Sequence, residues 1–98
     1  MENAKEMIKQ WIIEFLREIN PEINTLEIVD STDPIRNLGL KSIDGVACAC
    51  SMSEKLGFQI PLDVNPFVDD KQRKSRCLSE IVDTVFLLIQ NSKDIKHG

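Results

Sequence analysis

A serine or cysteine nucleophile needs a base beside it, and the only histidine of this 98-residue chain is His97, next to the last residue. A chain end is expected to fray, so no Ser–His or Cys–His pair forms there. Cys48 and Cys50 are one residue apart. On a helix that spacing points them about 200° from each other, so they neither pair nor share a metal. With Cys77 the count is odd, which fits reduced, partly buried thiols of a cytosolic protein. Tyrosine is absent, and no glycine-rich phosphate loop or metal-ligand spacing occurs. The 16 Asp and Glu residues are expected on exposed faces, where they serve solubility. By elimination the chain is not an enzyme but a protein on which others act.

The elements that would position these residues are helical. Ala4, Ile8, Trp11, Phe15 and Ile19 recur at spacings of three and four, and Met7, Ile12 and Leu16 widen the stripe. They predict a first helix over about 4–19, capped by Asn3 and Glu6 and ended by Asn20-Pro21. Residues 20–41 form a long loop, a length often tied to function. Leu26, Ile28 and Val29 should tether it, and Thr32-Asp33-Pro34 should start one helical turn. A second helix is expected over about 42–56, with Gly57 as its left-handed stop. Its inner stripe would be Ile43, Val46, Ala49, Met52 and Leu56, and Ser42 would stand at its start. Gly45 inside it costs about 1 kcal/mol relative to alanine, so either another group or a packed helix must approach closely there. Phe58 to Pro61 reads as an extended anchor, and Asn65-Pro66 should open a short helix over about 66–71. Leu78, Ile81, Val82, Val85 and Ile89 place the last helix at about 78–91, fraying after Asn91. The expectation is one all-α domain over 1–98, a four-helix bundle of three long helices and one short.

Composition narrows the partners. A chain of this length buries one core and not two. The net charge of −4 argues against a nucleic-acid binder. Residues 1–40 carry four basic and eight acidic side chains, residues 41–70 two and five, residues 71–98 six and three. The surplus of positive charge at the end centres on Lys71, Arg73, Lys74 and Arg76. That cluster suits an acidic partner or a phosphate, or is simply a solvated loop; it lacks the aromatic neighbours of a single-strand binder. Ile81–Ile89 is interrupted by Asp83 and too short to cross a bilayer. The acidic start from Met1 to Glu6 has no signal-peptide core. A cytoplasmic monomer with no membrane partner is expected.

The string Leu38-Gly39-Leu40-Lys41-Ser42-Ile43-Asp44-Gly45-Val46 resembles the modification site of acyl carrier proteins. The likeness continues through Met52, Leu56-Gly57-Phe58 and Ile60-Pro61, and with the outer helices it spans nearly the whole chain. It implies that Ser42 receives 4′-phosphopantetheine from coenzyme A through a phosphopantetheinyl transferase. It also implies that acyl groups then ride as thioesters between acyl-activating or ketosynthase-type enzymes, in fatty-acid, unusual-lipid or polyketide and peptide synthesis. A serine in a helix's first turn suits a phosphodiester, because free N–H groups and the positive dipole end face it. The alternative role for Ser42 is a plain N-cap. The small residues at 47–51 either leave room for an acyl chain or allow close packing. Two departures stand out: Lys41 replaces the aspartate that usually precedes the serine, and Ala47 replaces an acidic position. Lys41, Ile43, Asp44 and Ala47, with the basic cluster at 71–76, are then the candidate partner contacts, and they suggest a specialised carrier. The competing expectation is an unmodified carrier-like bundle serving as a protein-interaction module.

Overall fold

The computed structural model describes residues 2–22, 27–57, 60, 64–69 and 71–97. Among them three helices, α1 (Glu2–Ile19), α2 (Ser42–Leu56) and α3 (Leu78–His97), surround one core, joined by a small antiparallel pair, β1 (Val68–Asp69) and β2 (Lys74–Ser75). The fold is therefore mostly helical, and among the described residues no helix is long and apolar enough to cross a membrane.

α1 begins at Glu2, so Asn3 lies inside it rather than capping it. Its buried residues are Ile8, Ile12, Ile13, Phe15 and Leu16. Trp11 is half-buried at the edge of the core, while Met7 is 53% exposed and Ile19 is also exposed. The inward face is thus turned from the Ile8–Trp11–Phe15–Ile19 line expected from spacing. A helix with so many apolar positions has a broad stripe, and its rotation is settled by the helices it meets. α1 packs against both α3 and α2. α3 contributes Leu78, Ile81, Val82 and Val85, each buried. Full burial of such side chains contributes about 1.5–3 kcal/mol each. α3 runs on to His97, beyond the expected end near Asn91.

The segment expected as a short helix at 66–71 differs. It opens as expected: the Asn65 side-chain carbonyl accepts the Phe67 N–H at 2.9 Å, and the Val68 N–H reaches the Asn65 carbonyl at 3.2 Å. The chain then becomes extended, and Val68 pairs with Ser75 and Asp69 with Lys74. Two local features favour the hairpin. The Asp69 carboxylate accepts the N–H groups of Lys71 and Gln72 at 3.0 and 3.3 Å, a side-chain turn that competes with helical bonding. Arg73 then takes a left-handed φ of 54°, which closes the turn.

The loop before α2 is anchored by polar groups. Thr32 and Asp33 are buried. The Asp33 carboxylate accepts the N–H groups of Ile35 and Arg36 at 2.9 and 3.0 Å, capping the turn at 34–38 that Thr32-Asp33-Pro34 was expected to start. Its second oxygen accepts the Ser75 hydroxyl of the hairpin. Carbonyls of the same loop cap α3: the Leu78 N–H donates to Thr32 at 2.7 Å and the Ser79 N–H to Asp30 at 3.0 Å. Lys9 of α1 pairs with Asp30 at 2.9 Å. Of the expected tethers, Ile28 packs on the core, Val29 is exposed, and Leu26 lies outside the described residues.

Asp33 therefore joins the loop to the hairpin. Asp33→Ala should lower the unfolding free energy by about 1–3 kcal/mol, since it removes a cap and leaves part-buried N–H groups and the Ser75 hydroxyl without their partner. Ser75→Ala should cost less, and the double variant should lose less than the two losses combined. Urea denaturation of the four proteins checks this.

Candidate functional site

α2 starts at Ser42 and ends at Leu56, and Gly57 at φ 77° is its left-handed stop, all as expected. The approach explains the start. Leu40 is buried and its N–H donates to the Pro34 carbonyl at 3.0 Å. Lys41 follows in an extended conformation, φ −108° and ψ 163°, and is the N-cap. Its backbone N–H donates to the Asp44 carboxylate at 2.9 Å, one half of a capping box. Ser42 is thus the first helical residue and not the cap. Its side chain is exposed, and its hydroxyl makes no hydrogen bond with the described residues. Lys41 and Ile43 flank it in the open, Ile43 at 66% exposure rather than on the inner stripe.

Asn65 and Phe67 lock this helix start to the rest of the molecule. The Asn65 amide donates to the Ser42 carbonyl at 2.8 Å, and Phe67 is fully buried. Both lie directly against Gly45, where a Cβ would come 2.9 Å from the Phe67 Cβ and would overlap the Asn65 carboxamide. The helical glycine therefore serves close packing of the 65–67 segment. In the sequence, Asn65 before Pro66 signals only a cap. The signal for its wider role was present in Gly45, which required a close neighbour but did not name it.

Farther along α2, Cys48, Ala49 and Met52 are buried, whereas Ala47 and Cys50 are exposed. The small residues Cys48 and Ala49 thus give close packing in the core. Burial pushes the Cys48 thiol up to about 12, because a thiolate would lose its hydration there. Ser53 donates to the Ala49 carbonyl and accepts the Ile60 N–H, both at 2.9 Å, which anchors buried Ile60. Phe58, Gln59 and Pro61 of the expected anchor lie outside the described residues. All three cysteines are free. Among the described residues no group of three or more His, Cys, Asp or Glu side chains is placed to hold a metal.

The basic cluster separates into two roles. Lys71 and Arg73 lie in the hairpin turn and Lys74 on β2, all exposed. Arg76 is half-buried, and its guanidinium Nη1 donates to the carbonyls of Asn65 and Pro66 at 3.3 and 3.4 Å. Its backbone N–H donates to Phe67 at 2.8 Å. Arg76 thus supports Asn65, which in turn holds Ser42.

Comparison with known proteins finds no match: no family model, no curated protein and no solved structure. The site is characterised by its own geometry. That geometry is an exposed hydroxyl at the positive end of a helix, with a lysine before it and an apolar side chain after it, on a backbone clamped from behind.

Two outcomes follow. Gly45→Ala should destabilise the fold despite alanine's helical preference of about 1 kcal/mol. The displaced Phe67 and Asn65 should cost about 1–3 kcal/mol in overpacking strain and also lose the clamp bond, so the melting temperature falls. In the native protein at pH 8, iodoacetamide should label Cys50 and spare Cys48. The same burial gives a pH signature: the folded thiol holds its proton to about 12, well above an unfolded cysteine's value of about 8.5. The Cys48 contribution to stability is whole below that lower value and is lost as pH rises toward the higher one. Denaturation at several alkaline pH values, with Cys48→Ala as reference, measures it.

Proposed function

We propose that this protein is an acyl carrier whose Ser42 hydroxyl is the attachment point for 4′-phosphopantetheine. The observation that carries this reading is the state of Ser42. It is exposed, its hydroxyl makes no hydrogen bond among the described residues, and it is first in α2 and relieved of capping by Lys41. It also stands within the Leu-Gly-Leu-Lys-Ser-Ile-Asp string that resembles the carrier site. Three helices and a hairpin then stand for the family's bundle, with the hairpin in the place of a short third helix.

The local residues suit a phosphodiester. A helix start leaves N–H groups without helical partners, and the dipole end favours negative charge. Lys41 adds a cation beside it, while Asp44, bonded to the Lys41 N–H, keeps the helix start in shape. Attachment needs no base from this chain, since a phosphopantetheinyl transferase supplies activation. The Ser42 oxygen bonds to the β-phosphorus of coenzyme A, the pyrophosphate linkage breaks, adenosine 3′,5′-bisphosphate leaves, and the serine proton passes to the transferase. The thiol of the attached arm holds acyl groups as thioesters.

Partner contacts on this reading are Lys41, Ile43, Asp44 and Ala47 around the serine, with Lys71, Arg73 and Lys74 on the hairpin. The mostly neutral helix face suits specialised acyl-activating or ketosynthase-type enzymes of lipid, polyketide or peptide assembly, in the cytoplasm, with the carrier as a monomer. Arg76 is drawn inward by Asn65 and Pro66 and acts on this surface only through them.

Incubation with coenzyme A and a broad-specificity transferase should add one phosphopantetheinyl group by mass, and Ser42→Ala should prevent it. Ser42→Ala should leave the unfolding free energy within about 0.5 kcal/mol of the parent, because the hydroxyl makes no hydrogen bond among the described residues. A second reading draws on the exposed apolar pair Ile43 and Ala47: a protein-interaction module that is never modified. Recovery from native cells with bare Ser42, bound stoichiometrically to a partner, would favour that module instead.

A further inference from the structure

An open cleft of about 360 Å³ lies between the hairpin and α3, lined by Val64, Asn65, Val68, Asp69, Lys71, Arg76 and Thr84. Its walls combine two valines with two cations. Asp69 is the one carboxylate in this lining, and its Oδ1 is already taken up by the Lys71 and Gln72 N–H groups. Arg76 uses one nitrogen, Nη1, for two long contacts to carbonyls. Neither Arg76 nor Lys71 has a carboxylate partner among the described residues. A half-buried guanidinium with spare donors and no counter-ion is a receptor for a planar anion. The same Asn65 that lines the cleft donates to the Ser42 carbonyl at 2.8 Å. The cleft therefore begins one side chain away from the attachment residue.

We infer that this cleft holds the far end of a carboxylate-terminated acyl cargo. The chain of the cargo lies on Val64 and Val68, and its terminal carboxylate meets Arg76 and Lys71. This inference rests on Ser42 being the attachment point. It assigns the protein a substrate class, the mono-thioesters of dicarboxylic acids. A plain fatty acyl group gains only the valine contacts and leaves the two cations unused. Two other clefts among the described residues offer no such asymmetry. In that between α1 and α3 the cations Lys5 and Lys9 are already paired, with Asp83 at 3.1 Å and Asp30 at 2.9 Å. That beside Met7 and Trp11 is rimmed by Glu6 and Glu14.

The test loads full-length protein through the transferase with adipyl- or hexanoyl-coenzyme A, chains of equal length that differ in the terminal carboxylate. Mass spectrometry first confirms loading. NMR then follows the Arg76 side-chain N–H and the Val64 and Val68 methyl groups, and hydroxylamine cleavage is timed relative to each free coenzyme A thioester. The adipyl form should shift Arg76 and both valines and be cleaved about fivefold more slowly than the hexanoyl form, the ratio given by one charge-assisted contact. Lys71→Gln, an exposed change that leaves the Arg76 contacts intact, should reduce that protection to about twofold. Arg76→Lys should abolish the planar contact, and its circular dichroism reports whether the fold persists. Loading with equal cleavage and no Arg76 shift overturns the cargo assignment and leaves the carrier reading standing. Failure to load Ser42 overturns both.

Discussion

The contact on which the rest depends is the approach of Asn65 and Phe67 to α2 at Gly45. It exists because residue 45 has no side chain. Phe67 can then enter the core completely, and Asn65 can reach the Ser42 carbonyl. From that point order passes outward in both directions along the chain. Arg76 holds the carbonyls of Asn65 and Pro66, the hairpin pairs across Val68 and Ser75, and Ser75 reaches Asp33. The loop carrying Asp33 caps α3 through Thr32 and Asp30. A helical glycine that is unfavourable by propensity thus makes possible several polar bonds and one large buried ring.

The same arrangement separates rigidity from accessibility at the helix start. Ser42 is held through its backbone carbonyl, so its hydroxyl is left to solvent. Capping falls to the Lys41 backbone and the Asp44 carboxylate. The charge pattern divides in a comparable way. Four basic residues within six look like one patch in sequence, but they share no single role. Arg76 turns inward to brace Asn65, Lys71 borders the cleft, and Arg73 and Lys74 face water. The cysteines divide likewise: Cys48 is sealed in the core with its thiol protonated, and Cys50, two residues on, is exposed. A helical offset of about 200° makes opposite fates the natural outcome for that pair.

Much of the helical layout was legible because its signals are local. Gly57 as a left-handed stop and the apolar spacing of Leu78, Ile81, Val82 and Val85 each act within a turn or two of chain. They marked α2 residue for residue and the buried face of α3. Structure departs from expectation where local signals are degenerate. In α1 the apolar positions circle too much of the helix to fix its rotation, so Met7 and Ile19 fit an inward stripe by spacing yet are exposed. At 66–71 the Asn-Pro start forms as expected, but the bonds taken up by Asp69 and the pairing with Lys74 and Ser75 turn a helix start into a hairpin.

The sequence by itself determined the span of α2 and where α3 begins, that Ser42 opens α2, and that Gly45 must admit a close neighbour. Tertiary structure alone decided which neighbour that is, which face of α1 is inward, and that Arg76 braces the site from behind. The physical reason is range. Propensity, capping and left-handed stops act over a few residues. The contacts from Asn65 to Ser42 and from Ser75 to Asp33 join residues 23 and 42 positions apart, and only the packed core brings them together.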